Sequence, residues 1–213
     1  MRWKACEFRL ILLVGVVALL ATSCGAPRAR GPLLSAPPSA AADNDIYVAD
    51  AMGRIRALRP DGTEQWSHSL ADDVARVDNG ASHDLRIDYL AARSGGKLFG
   101  LATLMSGNRA GQTILFALDG NRLLWQREIP ATGQGIVPIA IGHDALYEAG
   151  DDGKLYAFAR DDGHTLWQYG VSEGSLGSPT VGTDGTIYIT GPRLNLHAIA
   201  PDGSQRWVVE TQK

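Results

Sequence analysis

From Leu155 to Trp167 the chain reads LYAFARDDGHTLW: an apolar stretch with aromatics, an Asp-Asp-Gly break, then a second stretch ending in tryptophan. This alternation predicts a strand, a tight turn and a second strand. The phrase recurs in looser form as IRALRPDGTEQW, LFALDGNRLLW and LHAIAPDGSQRW. In each, an apolar residue, a variable one, an alanine (Ala57, Ala117, Ala157, Ala198) and a second apolar residue lead into a turn ending in Gly. Trp66, Trp125, Trp167 and Trp207 follow that Gly by four or five positions. Upstream of each phrase lies another strand carrying an aromatic: DIYVAD, KLFGLA, ALYEAG and TIYITG. Further upstream, Pro38, Pro138 and Pro179 precede Tyr47, Tyr147 and Tyr188 by nine residues each, and Leu90 takes the same place before Phe99. After the first 21 residues no long window carries the apolar spacing of a helix.

The repeating unit is therefore four strands: one led by Pro, one with the aromatic, one with the Ala and one with the Trp. The last three tryptophans lie 42 and 40 residues apart, which is the blade period of a β-propeller. The expected fold is all-β, a propeller of about four four-stranded blades over 35–67, 85–127, 136–169 and 177–210. Each recurring residue has a physical task. Asp-Gly supplies the positive φ of the turn, the Ala permits close approach, and the Trp buries a large flat area that locks one blade to the next. One blade cannot bury both of its faces, so neighbours must stack.

The phrase resembles the pyrroloquinoline-quinone (PQQ)-like propeller repeat, with Tyr156, Ala157, Gly163 and Trp167 the best match and Asp119 the clearest acidic position after the Ala. The resemblance covers about residues 35–213. Members of that family usually close seven or eight blades. Three outcomes stay open for about four: a closed four-blade ring, a half-ring paired with a second copy as a homodimer, or a fragment of a larger ring.

Ahead of the repeats, Arg2, Lys4 and Arg9 precede a 12-residue apolar run from Leu10 to Ala21. That is the build of a signal peptide, too short to span a bilayer. Leu20-Ala21-Thr22-Ser23-Cys24 resembles a bacterial lipobox, which implies lipidation of Cys24 and removal of residues 1–23. Residues 24–34 then form a Pro- and Ala-rich tether to the propeller. Gly25 after the cysteine resembles the pattern sorted to the outer membrane, so the expected address is the periplasmic side of that membrane, or secretion. Cys6 and Cys24 are the only cysteines, so the mature fold has no disulfide. Loss of residues 1–23 removes three cations and one carboxylate and takes the net charge from −3 to −5. An acidic surface without a basic run argues against nucleic acid.

Two stretches break the period. Ser67 to Asp88 lengthens the connection between the first two blades, and Thr103 to Gln112 lengthens the middle connection of the second. In an up-and-down blade both emerge on one face, so they flank the second blade on one side and form the candidate binding loop, with His68, Asp72, Asp73, His83, Asp84 and Arg109. The oxygen-rich part suits Ca²⁺, but the spacing is not that of an EF-hand loop. Asp151-Asp152-Gly153 and Asp161-Asp162-Gly163 read as turns, His197 as a structural or exposed strand residue, and His143 and His164 as turn-border residues without evident partners. No Ser-His-Asp, phosphate-loop or HExxH pattern is present. The resemblance extends to BamB-type envelope lipoproteins. It implies a non-catalytic platform for envelope protein partners, without PQQ or Ca²⁺, in outer-membrane assembly. The alternatives are a PQQ-dependent dehydrogenase relative and a small-ligand or Ca²⁺-binding propeller.

Overall fold

The computed structural model describes residues 36–40, 45–77, 84–106, 109–129, 138–150, 152–171, 174, 176–192 and 195–210. The lipidation candidate Cys24, the signal segment, the tether and His83 lie outside these residues. All four repeats form four-stranded antiparallel sheets with strands in chain order, as the periodicity predicts. The first blade holds β1 (Ser39–Ala40), β2 (Ile46–Ala49), β3 (Arg54–Leu58) and β4 (Glu64–Ser69). A helix, α1 (Leu70–Val77), follows it. The second holds β5 (Asp84–Arg93), β6 (Lys97–Ser106), β7 (Arg109–Asp119) and β8 (Arg122–Ile129). The third holds β9 (Ala140–Ile141), β10 (Ala145–Ala149), β11 (Lys154–Ala159) and β12 (Thr165–Gly170). The fourth holds β13 (Thr180–Val181), β14 (Ile187–Thr190), β15 (Leu196–Ile199) and β16 (Gln205–Val209).

One row of side chains explains why these residue types recur. In every blade the aromatic of the second strand pairs with the Ala of the third, and that Ala pairs with the Trp of the fourth: Tyr47, Ala57, Trp66; Phe99, Ala117, Trp125; Tyr147, Ala157, Trp167; Tyr188, Ala198, Trp207. The methyl leaves room for the two rings to meet above it, with centroids 5.8, 6.4, 5.7 and 5.9 Å apart in chain order. Tilted ring pairs at this separation are favourable beyond their area. All four alanines are fully buried. A bulge follows each Ala and Trp pair and turns the outer strand.

The core lies between blades, in three seams. The first is filled by Tyr47, Ala49, Ile55 and Ala57 of one blade against Leu98, Phe116 and Leu118 of the next. The second sets Phe99, Leu115 and Trp125 against Leu146, Tyr156 and Phe158. The third sets Tyr147, Leu155 and Ala157 against Ile187, Ile189 and Ile199. Each blade thus presents its aromatic and Trp row forward, and its alternate strand positions backward, as period-two alternation requires.

Two tryptophans reach across a seam. The Trp125 indole N–H donates to Arg160 O at 3.1 Å, and the Trp167 indole to Pro201 O at 2.8 Å. Each ring lies on the turn glycine of the next blade: an added Cβ would sit 2.6 Å from Trp125 at Gly163 and 2.8 Å from Trp167 at Gly203. Both glycines have positive φ, +74° and +88°, so the residue that makes the turn also leaves the space for the ring. In the second blade the matching turn is shorter, with Asp119 paired directly to Arg122, and an added Cβ on Gly120 meets nothing. Trp66 pairs with Tyr47 and packs against the first seam without such a docking turn.

Candidate functional site: the insertion end of the second blade

The two stretches that break the repeat form one structure. Residues 70–77, within the expected loop, are α1. The local reason is a cap: Ser69 Oγ accepts the Asp72 N–H at 3.3 Å, Asp72 stands three positions on, and Asp72 and Asp73 place two carboxylates in the first turn. This is the pattern that starts a helix and offsets its dipole. Leu70 and Val74, four apart, are buried in the first seam. The Leu70 N–H donates to Gly53 O at 3.0 Å, which pins the helix over the turn between β2 and β3.

The described part of the second stretch is strand. Residues 103–106 and 109–112 continue β6 and β7, and the front half of β5 pairs alongside: Leu85 faces Leu104 and Arg86 faces Thr103. The first blade's strands hold two to six residues, whereas β5, β6 and β7 hold 10, 10 and 11. The second blade therefore extends beyond its neighbours at this end, and α1 packs on the extension through Leu70, Val74, Leu85 and Ile87. Inside the extension Asp88 is buried, accepting from Thr103 Oγ1 and Arg86 Nε at 2.5 Å each. A buried carboxylate with two donors fixes the bulge between Ile87 and Tyr89 on which it sits.

The candidate residues divide accordingly. His68 on β4 and Asp73 on α1 come together, with Nε2 and Oδ2 2.8 Å apart and both largely buried, so the pair ties helix to blade. Asp72 gives its backbone N–H to the Ser69 cap, and its own side chain is exposed. Asp84 opens β5 opposite Met105, and Arg109 opens β7 opposite Ser106, both on the backbone of the same extension. Among the described residues no three His, Cys, Asp or Glu side chains converge as a metal cage requires.

Other singled-out residues are structural. Asp152, Asp162 and Asp202 accept the backbone N–H two residues on, as turn carboxylates do. Hydrogen bonds from His164 hold the Asp162 carboxyl below its usual range. His143 and His164, expected to lack partners, lie 2.7 and 2.6 Å from Asp144 and Asp162 through Nδ1. The sequence reading missed these pairs because each forms only when the turn bends back on itself. Burial, with the Asp152 carboxylate that its hydroxyl bonds at 2.6 Å, pushes Tyr156 up to about 12. His197 is buried in the third seam, 3.0 Å from the Tyr169 hydroxyl through Nδ1, and burial lowers its pKa.

Sequence reasoning missed a cleft between the second and third blades. It has a volume of about 480 Å³ and is lined by Arg93, Lys97, Arg160, Ser94, Ala92 and Phe99. Arg93 and Lys97 face each other directly across the β5–β6 hairpin, and Arg160 closes the cleft from the next blade. Like charges so placed favour an anion between them. Arg160 lies 67 and 63 positions after Arg93 and Lys97, so no local motif announces the three together.

Comparison with known proteins places this architecture. BamB from Moraxella catarrhalis is similar in structure, with 22% identity, a TM-score of 0.57, and 86% of this chain matched to 51% of that one. A protein of unknown function from Bacteroides caccae matches at 10% identity and a TM-score of 0.56, over 85% of this chain and 62% of that one. A streptogramin B lyase matches at 14% identity and a TM-score of 0.57, over 82% and 56%. The chain spans about half to three-fifths of the length of these structures. At such identities they show the fold, and the fold hosts both lyases and assembly factors. No curated relative matches the sequence. The family model described as outer membrane protein assembly factor BamB matches residues 24–169, two thirds of the chain, and the chain belongs to that family of PQQ-like repeat propellers.

Proposed function

We propose that this protein is a non-catalytic scaffold of the bacterial cell envelope, held to a membrane by a lipid on Cys24, whose blades bind envelope proteins in outer-membrane assembly. The family match over residues 24–169 carries this reading. The lipobox-like run before Cys24 supports the anchor, and the acidic mature chain supports a protein rather than a nucleic-acid partner. The binding surface in this reading is the extended end of the second blade. Helix α1 and the β5–β6–β7 extension are where the chain departs from its own repeat, and departures concentrated on one face mark the binding face of a repeat protein. The reading assigns no quinone and no Ca²⁺, because the four blade tryptophans are committed to the repeat and no cysteine pair exists.

Photo-crosslinking in cells tests the surface. A crosslinker in place of exposed Asp72 on α1 should capture outer-membrane assembly proteins. One in place of exposed Asn121, on the turn between β7 and β8 at the other end of the blade, should not. Equal capture from both sites, or none from Asp72, rejects the surface. Cys24→Ala should release the protein from the membrane fraction and abolish palmitate labelling, and retention would reject the anchor.

A further inference from the structure

Both ends of the blade series present an unfinished seam, and the two halves match. At the rear face of the first blade, Ile46, Val48, Arg56 and Leu58 are only half-buried. The twelve positions equivalent to them in the second, third and fourth blades are all buried; in the fourth they are Ile187, Ile189, His197 and Ile199. At the front face of the fourth blade the deficit is reversed. Trp207 is 41% exposed, against 6% for Trp125, and Val209 is 50% exposed. Tyr188 is half-buried where Tyr47, Phe99 and Tyr147 are buried. The ring pair of Tyr188 and Trp207 is formed, at 5.9 Å, and lacks only a blade in front of it.

The docking turn is duplicated as well. Trp167 docks on Pro201-Asp202-Gly203, and Pro60-Asp61-Gly62 in the first blade is built the same way. Gly62 N–H donates to Arg59 O and Gly203 N–H to Ala200 O, both at 2.9 Å. Asp61 and Asp202 each accept the N–H and hydroxyl of the residue two places on, Thr63 and Ser204. The φ angles are +82° and +88°. The difference lies in occupancy: a Cβ on Gly203 would strike Trp167, whereas one on Gly62 meets nothing within 4 Å. The first blade therefore carries a receiving turn without its tryptophan, and the fourth a tryptophan without its turn.

We infer that the occupant of each face is a second copy of this chain: Trp207 of one copy docks on the Pro60–Gly62 turn of the other, and the reciprocal seam closes the pair. The new seam continues the three inside the chain. It joins a Tyr and Trp row to an apolar rear face and leaves Arg56 with Asp50 and Glu64, its ion partners at 3.8 and 3.9 Å. Two reciprocal head-to-tail seams close a ring and leave no open blade face. The inference stands on blade packing and is independent of address and binding partner.

Mass measurement of the full chain extracted in mild detergent tests it. The wild type should have twice the mass of its own denatured subunit. Trp207→Asp removes the knob and Leu58→Lys charges the socket; the lysine faces Glu64 across the strand pair, which keeps the blade folded. Each variant should be monomeric with an unchanged circular dichroism spectrum, its dissociation constant raised by about 30-fold or more, the scale of losing a central interface tryptophan. Mixing the two variants should restore a dimer, because one intact knob then meets one intact socket. A monomeric wild type at about 10 µM overturns the inference, as does a dimer that Trp207→Asp leaves intact. Failure of the mixture to pair rejects the head-to-tail seam.

Discussion

At the scale of single residues, the turn glycines do two things that substitution separates. Gly163 and Gly120 both have positive φ, +74° and +57°, but only Gly163 carries a tryptophan on its missing side chain. Gly120→Ala should cost about 1 kcal/mol for the strained backbone. Gly163→Ala should cost about 2–3 kcal/mol, because the methyl also pushes Trp125 off its acceptor at Arg160. Urea unfolding of the two variants measures the difference, and equal losses would mean that the docked ring contributes nothing. His197 gives a pH dependence of definite sign. Burial lowers its pKa below that of the unfolded chain. Between those two values the unfolded state binds more protons, so stability falls as pH drops through about 6.5 and levels off below the folded value. His197→Gln should flatten that step in a pH series of melting temperatures. The Tyr169 hydroxyl that lies 3.0 Å from the imidazole does not change charge in that range.

At the scale of elements, what the sequence shows is what repeats. The four strands per blade, their order, and the aromatic, Ala and Trp row were legible because the same residue types return at the same spacing, as with Tyr147, Ala157 and Trp167. Even the two-residue strand β13 was legible through Pro179 just before it. The insertions were not, for two physical reasons. Helix α1 has only eight residues, too few for a period to stand out, although its Ser69 and Asp72 cap was in view. The stretch 103–112 resembles a loop, yet 103–106 and 109–112 pair as strands because the front half of β5 supplies a third strand beside them, a partner beyond the reach of local pattern. The cationic cleft was hidden for the same reason, since Arg160 reaches Arg93 only through blade stacking. The helix is testable by itself. Ser69→Ala should cost about 1 kcal/mol for the lost cap, and Leu70→Ala about 2–5 kcal/mol for a fully buried leucine. If α1 were an unpacked loop, both variants would unfold at the wild-type urea midpoint.

At the scale of the whole molecule, stability is distributed along the chain rather than around a single core. Each of the three seams joins only sequential blades, so the second and third blades are held from both sides and the first and fourth from one. In a nearest-neighbour array the end units open more readily than the middle ones, by about the free energy of the missing seam. The rows of strands express this directly: β11 is buried at four of its six positions, while every residue of β16 is exposed. Hydrogen exchange on the Trp207→Asp variant, in which neither end is covered, should therefore be slowest in β7 and β11. It should be faster in β2 and β3, and fastest in β15 and β16. Trp125→Ala weakens the central seam at its docked indole and should accelerate exchange in the second and third blades together. Trp66, packed against the first seam, should accelerate exchange in the first and second blades when changed to Ala. Uniform exchange across the four blades would instead require them to open as one cooperative unit, and seam-by-seam stability would then be wrong.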